Sequence, residues 1–293
     1  MGVQPCMPPE KSKQTMTHRS IVAKGLVPLL LAAALCLPVP GQAAPSVKKA
    51  VSLKKGFDTV VRPDGHWRNQ VTALRAHWFY SWGAPGPPNL PHGVQFVPMD
   101  WGYYGNKDNN LVAWLAKVKA QRNVHALLGF NEPDGKDQAN LSVEKALEGW
   151  PYLMQTRLTL GSPAAVHADG DWMKAFMAGA EAKHLRVDFI AIHWYGGANP
   201  QDFLGYLARV HTLYGRPLWV TEFAPADWSG HHGITPQQAA DFMRVALPGM
   251  DRLDYVQRYS WFSASPDDAA LGASALFGKD GSLTDLGRLY ASL

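Results

Sequence analysis

The sequence has 293 residues, of which 46% are hydrophobic, 11% are aromatic and 18% are charged, with a formal net charge of +4. This composition excludes an intrinsically disordered chain, because enough apolar side chains are present to form a large core. Much of the positive excess lies before residue 44, so the remainder is close to neutral and does not favour binding to nucleic acid or to a membrane surface.

The first segment has the features of a secretory signal peptide. The basic residues Arg19 and Lys24 precede an apolar segment, Gly25–Leu37. This segment is shorter than a transmembrane helix, which needs about 20 residues. Small residues follow this run, and we expect cleavage after Ala43. Translation could start at Met16, which would give a signal of ordinary length, and a retained membrane anchor is the alternative. The sequence therefore predicts a secreted or periplasmic protein with no membrane attachment after cleavage.

Residues 44–293 are predicted to form a single domain. Both cysteines, Cys6 and Cys36, precede it, so this domain has no disulfide and depends on its hydrophobic core. Its length is close to the about 250 residues of a typical (β/α)8 barrel, and no linker-like stretch divides it. All 11 tryptophans follow residue 66, which is typical of a packed core or of a carbohydrate-binding surface. Nothing in the sequence predicts more than a monomer.

Short β-rich segments alternate with amphipathic segments, which predicts an α/β fold with parallel strands joined by helices. The predicted strands are Lys54–Val60, Ala76–Trp82, Val94–Met99, His125–Phe130, Leu158–Ser162, Phe189–Trp194, Leu218–Phe223 and Val256–Phe262. The first is weak in periodicity and is included because a closed TIM barrel needs eight strands. The predicted helices are Leu111–Ala120, Ser142–Trp150, Asp171–Lys183, Gln201–Tyr214 and Thr235–Leu247. The last begins Thr-Pro-Gln-Gln, a capping pattern with proline at the first helical position.

Two glutamates follow buried strands at the rim where a barrel carries its active site. Glu132 follows the fourth predicted strand, and Glu222 lies at the end of the seventh. Glycosidic cleavage needs such a pair, because one carboxyl group protonates the leaving oxygen while the other attacks the anomeric carbon or activates water against it. Asn131, beside Glu132, could bind a sugar hydroxyl. A salt-bridged or helix-capping carboxylate is the alternative for either glutamate alone.

Other polar and aromatic residues end neighbouring strands. His193 and Tyr195 alternate with Trp194, so they are predicted to point to the same side, either to hold sugar hydroxyls or to fill a layer of the barrel. The tryptophans predicted to stack on sugar rings, with core packing as the alternative, are Trp82, Trp101 and Trp261. Those predicted to pack between helices and barrel are Trp114, Trp150 and Trp172.

No metal or cofactor is expected. His231 and His232 are adjacent in a glycine-flanked loop and lack the spacing of a zinc site. Asp100 and Asp134 could support the acid, bind sugar or cap loops.

An ordered set of motifs resembles clan A glycoside hydrolases, and more closely glycoside hydrolase family 128, whose members are β-1,3-glucanases. The matching segments are Lys54–Gly56, Trp78–Trp82, Phe96–Trp101, Leu128–Asp134, Gln138–Ser142, Gly161–Ala164, His193–Tyr195, Trp219–Ala224 and Tyr259–Phe262. Asn-Glu-Pro alone is moderately specific, whereas the ordered set is strong. The resemblance implies a retaining mechanism, with Glu132 as acid/base and Glu222 as nucleophile, and β-1,3-glucan as the substrate.

Three functional hypotheses follow. The first is a secreted β-1,3-glucanase, which is expected to be endo-acting, that is, to cleave bonds inside the glucan chain. The second is a hydrolase of the same barrel class that acts on another β-glycan, because loops rather than the catalytic pair select the substrate. The third is a glucan-binding protein without catalysis, which the presence of both glutamates disfavours.

Overall fold

The computed structural model describes residues 51–83, 86–105, 110–121, 123–230 and 233–293. The predicted signal segment, both cysteines and the pair His231 and His232 lie outside these residues. Lys48–Leu293 is one compact unit. No helix among the described residues combines the length and the apolar character needed to cross a membrane.

Among the described residues, eight parallel strands form the centre of this unit: β1 (Lys55–Asp58), β2 (Trp78–Tyr80), β3 (Gln95–Phe96), β4 (Ala126–Leu127), β5 (Thr159–Leu160), β6 (Ile190–Trp194), β7 (Leu218–Phe223) and β8 (Val256–Trp261). Six are paired in the order β3-β2-β1-β8-β7-β6, and β4 pairs with β5. Parallel bridges between Met99 and Leu128 and between Gly161 and Phe189 connect these two groups at both ends. The ring is therefore closed, which confirms the predicted (β/α)8 barrel and its weak first strand.

Helices surround the strands. They are α1 (His66–Ala73), α2 (Asn110–Lys119), α3 (Val143–Met154), α4 (Asp171–Ala182), α5 (Pro200–Tyr214), α6 (Pro236–Asp251) and α7 (Asp285–Ser292). All five predicted helices are present, and the capping box at Thr235 and Gln238 is formed with Pro236 in the first turn. The sequence did not predict α1 and α7, because eight residues are too few to display a clear helical repeat.

The last helix is fastened to the first strand by buried polar contacts. Lys55 Nζ donates to the backbone oxygen of Tyr290 at 2.8 Å, and the Tyr290 hydroxyl donates to the backbone oxygen of Gly56 at 2.7 Å. Burial lowers the pKa of Lys55 to about 7. These contacts join β1 to α7, although the two lie more than 230 positions apart in the chain.

Aromatic rings fill the interior of the barrel. Phe189 and Trp219 stack with centroids 4.0 Å apart, and Trp78 lies 5.7 Å from Trp219. A second cluster, between strands and helices, includes the fully buried Trp150, as predicted, and Trp172, which stacks on Phe176. The interior is packed with side chains, and a barrel of this kind carries its functional residues near the carboxyl ends of the strands.

Gly56 lies against the ring of Trp78, and a Cβ at this position would overlap Cε2 and Nε1 of that ring. We expect Gly56→Ala to lower the free energy of unfolding by about 1–3 kcal/mol, because the packed interior cannot make room for a methyl group. Gly205→Ala on α5 is the control: its Cβ would have Arg209 Nη1 as nearest neighbour, at 3.8 Å. Replacing a helical glycine there should stabilise the protein by about 0.5–1 kcal/mol. Denaturant titration measures both, and a neutral Gly56→Ala would show that the interior relaxes.

Candidate active site

The carboxyl ends of the strands surround a cleft of about 960 Å³, within the size range of ligand-binding sites. Seven of the eight predicted site residues line it, namely Trp82, Trp101, Asn131, Glu132, His193, Tyr195 and Glu222. The eighth, Trp261, does not. The two glutamates therefore face one cavity, although they lie 90 positions apart in the chain.

Glu222 is held from several sides. Its side chain is on β7, where a β-bulge brings it into register with His193 of β6. Glu222 Oε1 accepts hydrogen bonds from the Tyr80 hydroxyl at 2.6 Å and from Trp82 Nε1 at 2.8 Å, while Oε2 accepts one from the Tyr195 hydroxyl. Burial, followed by the charge of Glu222, raises the pKa of Tyr80 and of Tyr195 well above the usual value, so both stay protonated donors. Three donors thus fix both carboxylate oxygens, as a nucleophile requires.

Glu132 follows β4 in a strained conformation. Its φ is 41°, in the left-handed region that residues with a side chain rarely adopt. Hydrogen bonds hold this backbone: the amide of Glu132 donates to the oxygen of Ala164 at 2.8 Å, and the amide of Gly135 donates to the oxygen of Glu132 at 2.9 Å. Strain of this kind is commonly found at functional sites. The side chain is more exposed than that of Glu222, 13% against 6%, and is open to the cleft.

His193 lies between the two carboxylates. Its Nδ1 is 2.9 Å from Glu132 Oε1, and its Nε2 is 3.5 Å from Glu222 Oε1. Burial alone would lower the pKa of His193, but the charge of Glu222 and the hydrogen bond and charge of Glu132 outweigh it, so the pKa is raised. A protonated imidazole in this position would attract both carboxylates and keep them close together.

One atom each of Glu132, His193 and Glu222 lies within 4.8 Å of the others, a spacing that a metal ion could also use. The contacts of the carboxylates to His193, Tyr80, Trp82 and Tyr195 account for the arrangement by hydrogen bonding, without an ion.

Asn131 is buried, with 4% of its surface exposed. Asn131 lines the cleft, its Nδ2 donates to Gln138 Oε1 at 3.1 Å, and its buried Oδ1 has no partner among the described residues. That oxygen can accept a hydrogen bond from a ligand hydroxyl. Asp134 instead caps a loop, accepting from the amide of Val166 at 2.8 Å. Asp100 is buried outside the cleft lining, and burial raises its pKa to about 7.

The predicted alternation along β6 is confirmed. His193 and Tyr195 both reach Glu222, whereas Trp194 packs outward against Phe203 and Phe242 at centroid distances of 4.9 and 5.3 Å. The side chains of His193 and Tyr195 therefore belong to the site, whereas that of Trp194 packs mainly in the layer between strands and helices.

The prediction that Trp261 stacks on a sugar ring is wrong. Its side chain is fully buried, packs against Phe223 at 5.2 Å, and donates Nε1 to the backbone oxygen of Ser274 at 2.9 Å. Successive residues of a strand face opposite sides, and Trp261 is on the outer face. The next residue, Phe262, is the one that lines the cleft.

Several site residues were not predicted. Tyr80 shares a face of its strand with Trp82, so alternation along that segment could have identified it. Trp228 lies in the loop after β7, is 67% exposed, lines the cleft and donates Nε1 to the backbone oxygen of Tyr195 at 2.8 Å. No sequence pattern marks it. Asp58 ends β1 and is buried beside Glu222, whose charge helps to raise its pKa, after burial itself.

A family model described as the catalytic core of glycosyl hydrolases matches residues 59–290. Alkali-sensitive linkage protein 1 of Schizosaccharomyces pombe is 30% identical over 255 residues, which cover 83% of this chain but 45% of that protein. This chain thus spans less than half the length of that relative.

Solved structures agree with the family match. An endo-β-1,3-glucanase of family GH128, subgroup I, from Amycolatopsis mediterranei in complex with laminaritriose is 35% identical, with a TM-score of 0.72 and coverage of 82% of this chain and 99% of that one. A subgroup II endo-β-1,3-glucanase from Sorangium cellulosum is 28% identical, with a TM-score of 0.67 and coverage of 82% and 98%. A subgroup III curdlan-specific exo-β-1,3-glucanase from Blastomyces gilchristii is 30% identical, with a TM-score of 0.63 and the same coverage.

The raised pKa of His193 predicts a pH-dependent contribution to stability. A histidine whose pKa is higher in the folded than in the unfolded state stabilises the protein fully below its unfolded pKa, near 6.5, and loses that contribution as the pH rises through the folded pKa. We expect His193→Gln to lower the free energy of unfolding by about 1–3 kcal/mol near pH 5.5, with a smaller loss near pH 9. His92→Gln, at an exposed position, is the control and should change the free energy of unfolding by less than about 0.5 kcal/mol. A loss that grows with pH would contradict the proposed charge state of His193.

Proposed function

The protein belongs to the glycosyl hydrolase catalytic core family, and we propose that it hydrolyses β-1,3-glucan. We propose that it cleaves bonds inside the glucan chain, by a retaining, two-step mechanism. The observation that carries the proposal is the pair Glu132 and Glu222, which face each other across one cleft with ligand atoms within 4.8 Å. Inverting enzymes keep their carboxyl groups about 6.5–9.5 Å apart to admit a water molecule, so the short separation supports retention.

The surroundings of the two glutamates support their separate roles. Glu222 is nearly buried and its oxygens are fixed by donors from three residues, which suits a nucleophile that must approach the anomeric carbon along one direction. Glu132 is more exposed than Glu222 and is open to the cleft, which suits a group that must exchange protons with the leaving oxygen and with water.

In the first step, Glu222 attacks the anomeric carbon while Glu132 protonates the glycosidic oxygen of the leaving sugar. The bond between carbon and leaving oxygen breaks, and the retained sugar becomes an ester of Glu222. In the second step, Glu132 removes a proton from water, which attacks the same carbon and releases Glu222 as a carboxylate. Asn131 Oδ1 would accept a hydrogen bond from the sugar 2-hydroxyl, an interaction that strengthens as positive charge develops on the ring.

The substrate class is supported by similar proteins and by the character of the cleft. The similar structure from A. mediterranei is that of an endo-β-1,3-glucanase with laminaritriose, and its sequence identity is 35% over 82% of this chain. The cleft, of about 960 Å³, is lined by Trp82, Trp101 and Trp228, and aromatic rings of this kind bind the apolar faces of sugars. A cavity of this volume is large enough for several sugar units, which supports cleavage at bonds inside the glucan chain.

Digestion of a panel of β-glucans tests the proposal. Linear β-1,3-glucan should yield a range of oligosaccharides at early times, and the first product seen by proton NMR should be the β-anomer, because two inversions at one carbon retain configuration. A single short product would instead indicate exo action, and an initial α-anomer would refute the nucleophile role of Glu222. Preferential release of sugar from another β-glycan would assign the enzyme to that substrate, and no release from any would leave a binding protein.

Glu132→Gln and Glu222→Gln should each fold normally and lower kcat by about a hundredfold or more, because an amide keeps the shape but neither transfers a proton nor attacks carbon. Glu181→Gln, an exposed glutamate on α4, is the matched control and should keep full activity. Melting curves establish that all three variants are folded. If either cleft variant retains more than about a tenth of the parent kcat, the role given to that glutamate is wrong.

A further inference from the structure

The loop that joins β4 to α3 folds back on itself beside the cleft. The amide of Ala139 donates to the backbone oxygen of Asn131 at 3.2 Å, and the amide of Leu141 donates to that of Pro133 at 2.8 Å. The loop is also fastened from outside, because Trp172 Nε1 on α4 donates to the backbone oxygen of Leu141 at 2.8 Å. The second half of the loop is therefore held against the segment that carries Asn131 and the proposed acid/base.

Gln138 lies in this second half and lines the cleft. Its amide donates to the backbone oxygen of Gly135 at 3.1 Å, and its Cγ lies so close to Gly135 that a Cβ there would be 3.0 Å away. The side chain then reaches Asn131, where Gln138 Oε1 accepts from Asn131 Nδ2 at 3.1 Å. Gln138 is an exposed residue, but both its backbone and its side-chain oxygen are held in hydrogen bonds.

The bond to Gln138 determines the orientation of the Asn131 side chain. A carboxamide group carries an acceptor oxygen and a donor nitrogen on the same carbon, so fixing the position of one atom also fixes that of the other. With Nδ2 bonded to Gln138, Oδ1 of Asn131 is buried and has no hydrogen-bond partner in the described part of the chain. Buried polar atoms normally have partners, so this oxygen is suited to accept a hydrogen bond from a bound ligand.

We propose that Gln138 is a positioning residue for the hydrolytic reaction, which fixes the amide of Asn131 so that Oδ1 accepts a hydrogen bond from the 2-hydroxyl of the reacting sugar. This assignment rests on the proposed function and adds to it a residue that acts through Asn131. Without Gln138, the amide can turn about its last side-chain bond and exchange the positions of Oδ1 and Nδ2, because rotation about that bond is only weakly restricted. The contact with the 2-hydroxyl strengthens as positive charge develops on the ring, so its loss lowers kcat rather than raising KM.

The test uses two chromogenic substrates. One is the nitrophenyl β-glycoside of a β-1,3-linked glucose trisaccharide, and the other is its analogue without the 2-hydroxyl on the ring that bears the nitrophenyl group. The ratio of kcat/KM between the two substrates, called here the hydroxyl ratio, measures what the 2-hydroxyl contributes to the step that forms the glycosyl-enzyme. A merely structural change lowers the rates on both substrates together and leaves the hydroxyl ratio unchanged.

Gln138→Met keeps the length of the side chain without its polar atoms, and the hydroxyl ratio should fall about fivefold or more, as expected for the loss of one hydrogen bond. Gln138→Glu should keep the ratio near that of the parent, because a carboxylate can only accept and still binds Asn131 Nδ2. In an Asn131→Ala background, Gln138→Met should cause no further fall, since the residue through which it acts is absent. Gln237→Met is the matched control: Gln237 is an exposed glutamine on α6 that donates to Asp241 at 2.9 Å, and its loss should leave the ratio unchanged.

Three results would overturn the proposal while the proposed function stands. An unchanged hydroxyl ratio in Gln138→Met would show that Gln138 does not act on the 2-hydroxyl contact. A further fall in the Asn131→Ala background would show that Gln138 contacts the sugar directly. A fall in Gln138→Glu equal to that in Gln138→Met would show that Asn131 does not present its oxygen to the sugar. If the parent cleaves neither β-1,3-glucan nor the chromogenic substrates, both proposals fall.

Discussion

The carboxylate of Glu222 is almost completely removed from water, with 5% of the residue exposed. Burying a charged group costs several kcal/mol unless other polar groups replace its water. Here the replacements are Tyr80, Trp82 and Tyr195, which lie 142, 140 and 27 positions away in the chain. Closure of the barrel is what brings these donors to one carboxylate, so the chemistry of the site depends on the whole ring of strands.

Departures from regular geometry accumulate around this carboxylate. Glu132 and Trp82 both have positive φ, at 41° and 48°, and bulges interrupt the pairing of β7 with β6 and with β8. A bulge redirects side chains, and here it places Glu222 beside His193. Local strain persists only where the surrounding structure is rigid. The stacked rings of Phe189 and Trp219 below, and the layer of helices outside, provide that rigidity.

Trp82 connects three parts of the active region. Its Nε1 donates to Glu222, and the residue lines both the main cleft and a second cavity beside the end of β1. Loops after the strands supply the remaining walls, including Trp228 after β7 and Phe262 after β8. Glu222 is on a strand, whereas Trp228 and Phe262 are in loops, and the loops of a barrel can vary without a change in its strands.

The sequence by itself determined the barrel, the order of its strands along the chain and the pair Glu132 and Glu222, because these depend on local periodicity and on where a strand ends. Alternation also placed His193 and Tyr195 correctly on one face. Trp261 was predicted to stack on a sugar ring because it lies near the end of a strand, but the neighbouring residue Phe262 is the one that reaches the cleft.

Only the tertiary structure decided the contacts between distant segments. The bulge that aligns Glu222 with His193 changes the register of side chains without a sequence signal, and the donation from Tyr80 to Glu222 joins strands that are not neighbours in the ring. Asp58 and Trp228 likewise acquire their positions from the packing of loops and strand ends. Periodicity specifies which face a residue is on, whereas the closing of the barrel specifies what lies opposite that face.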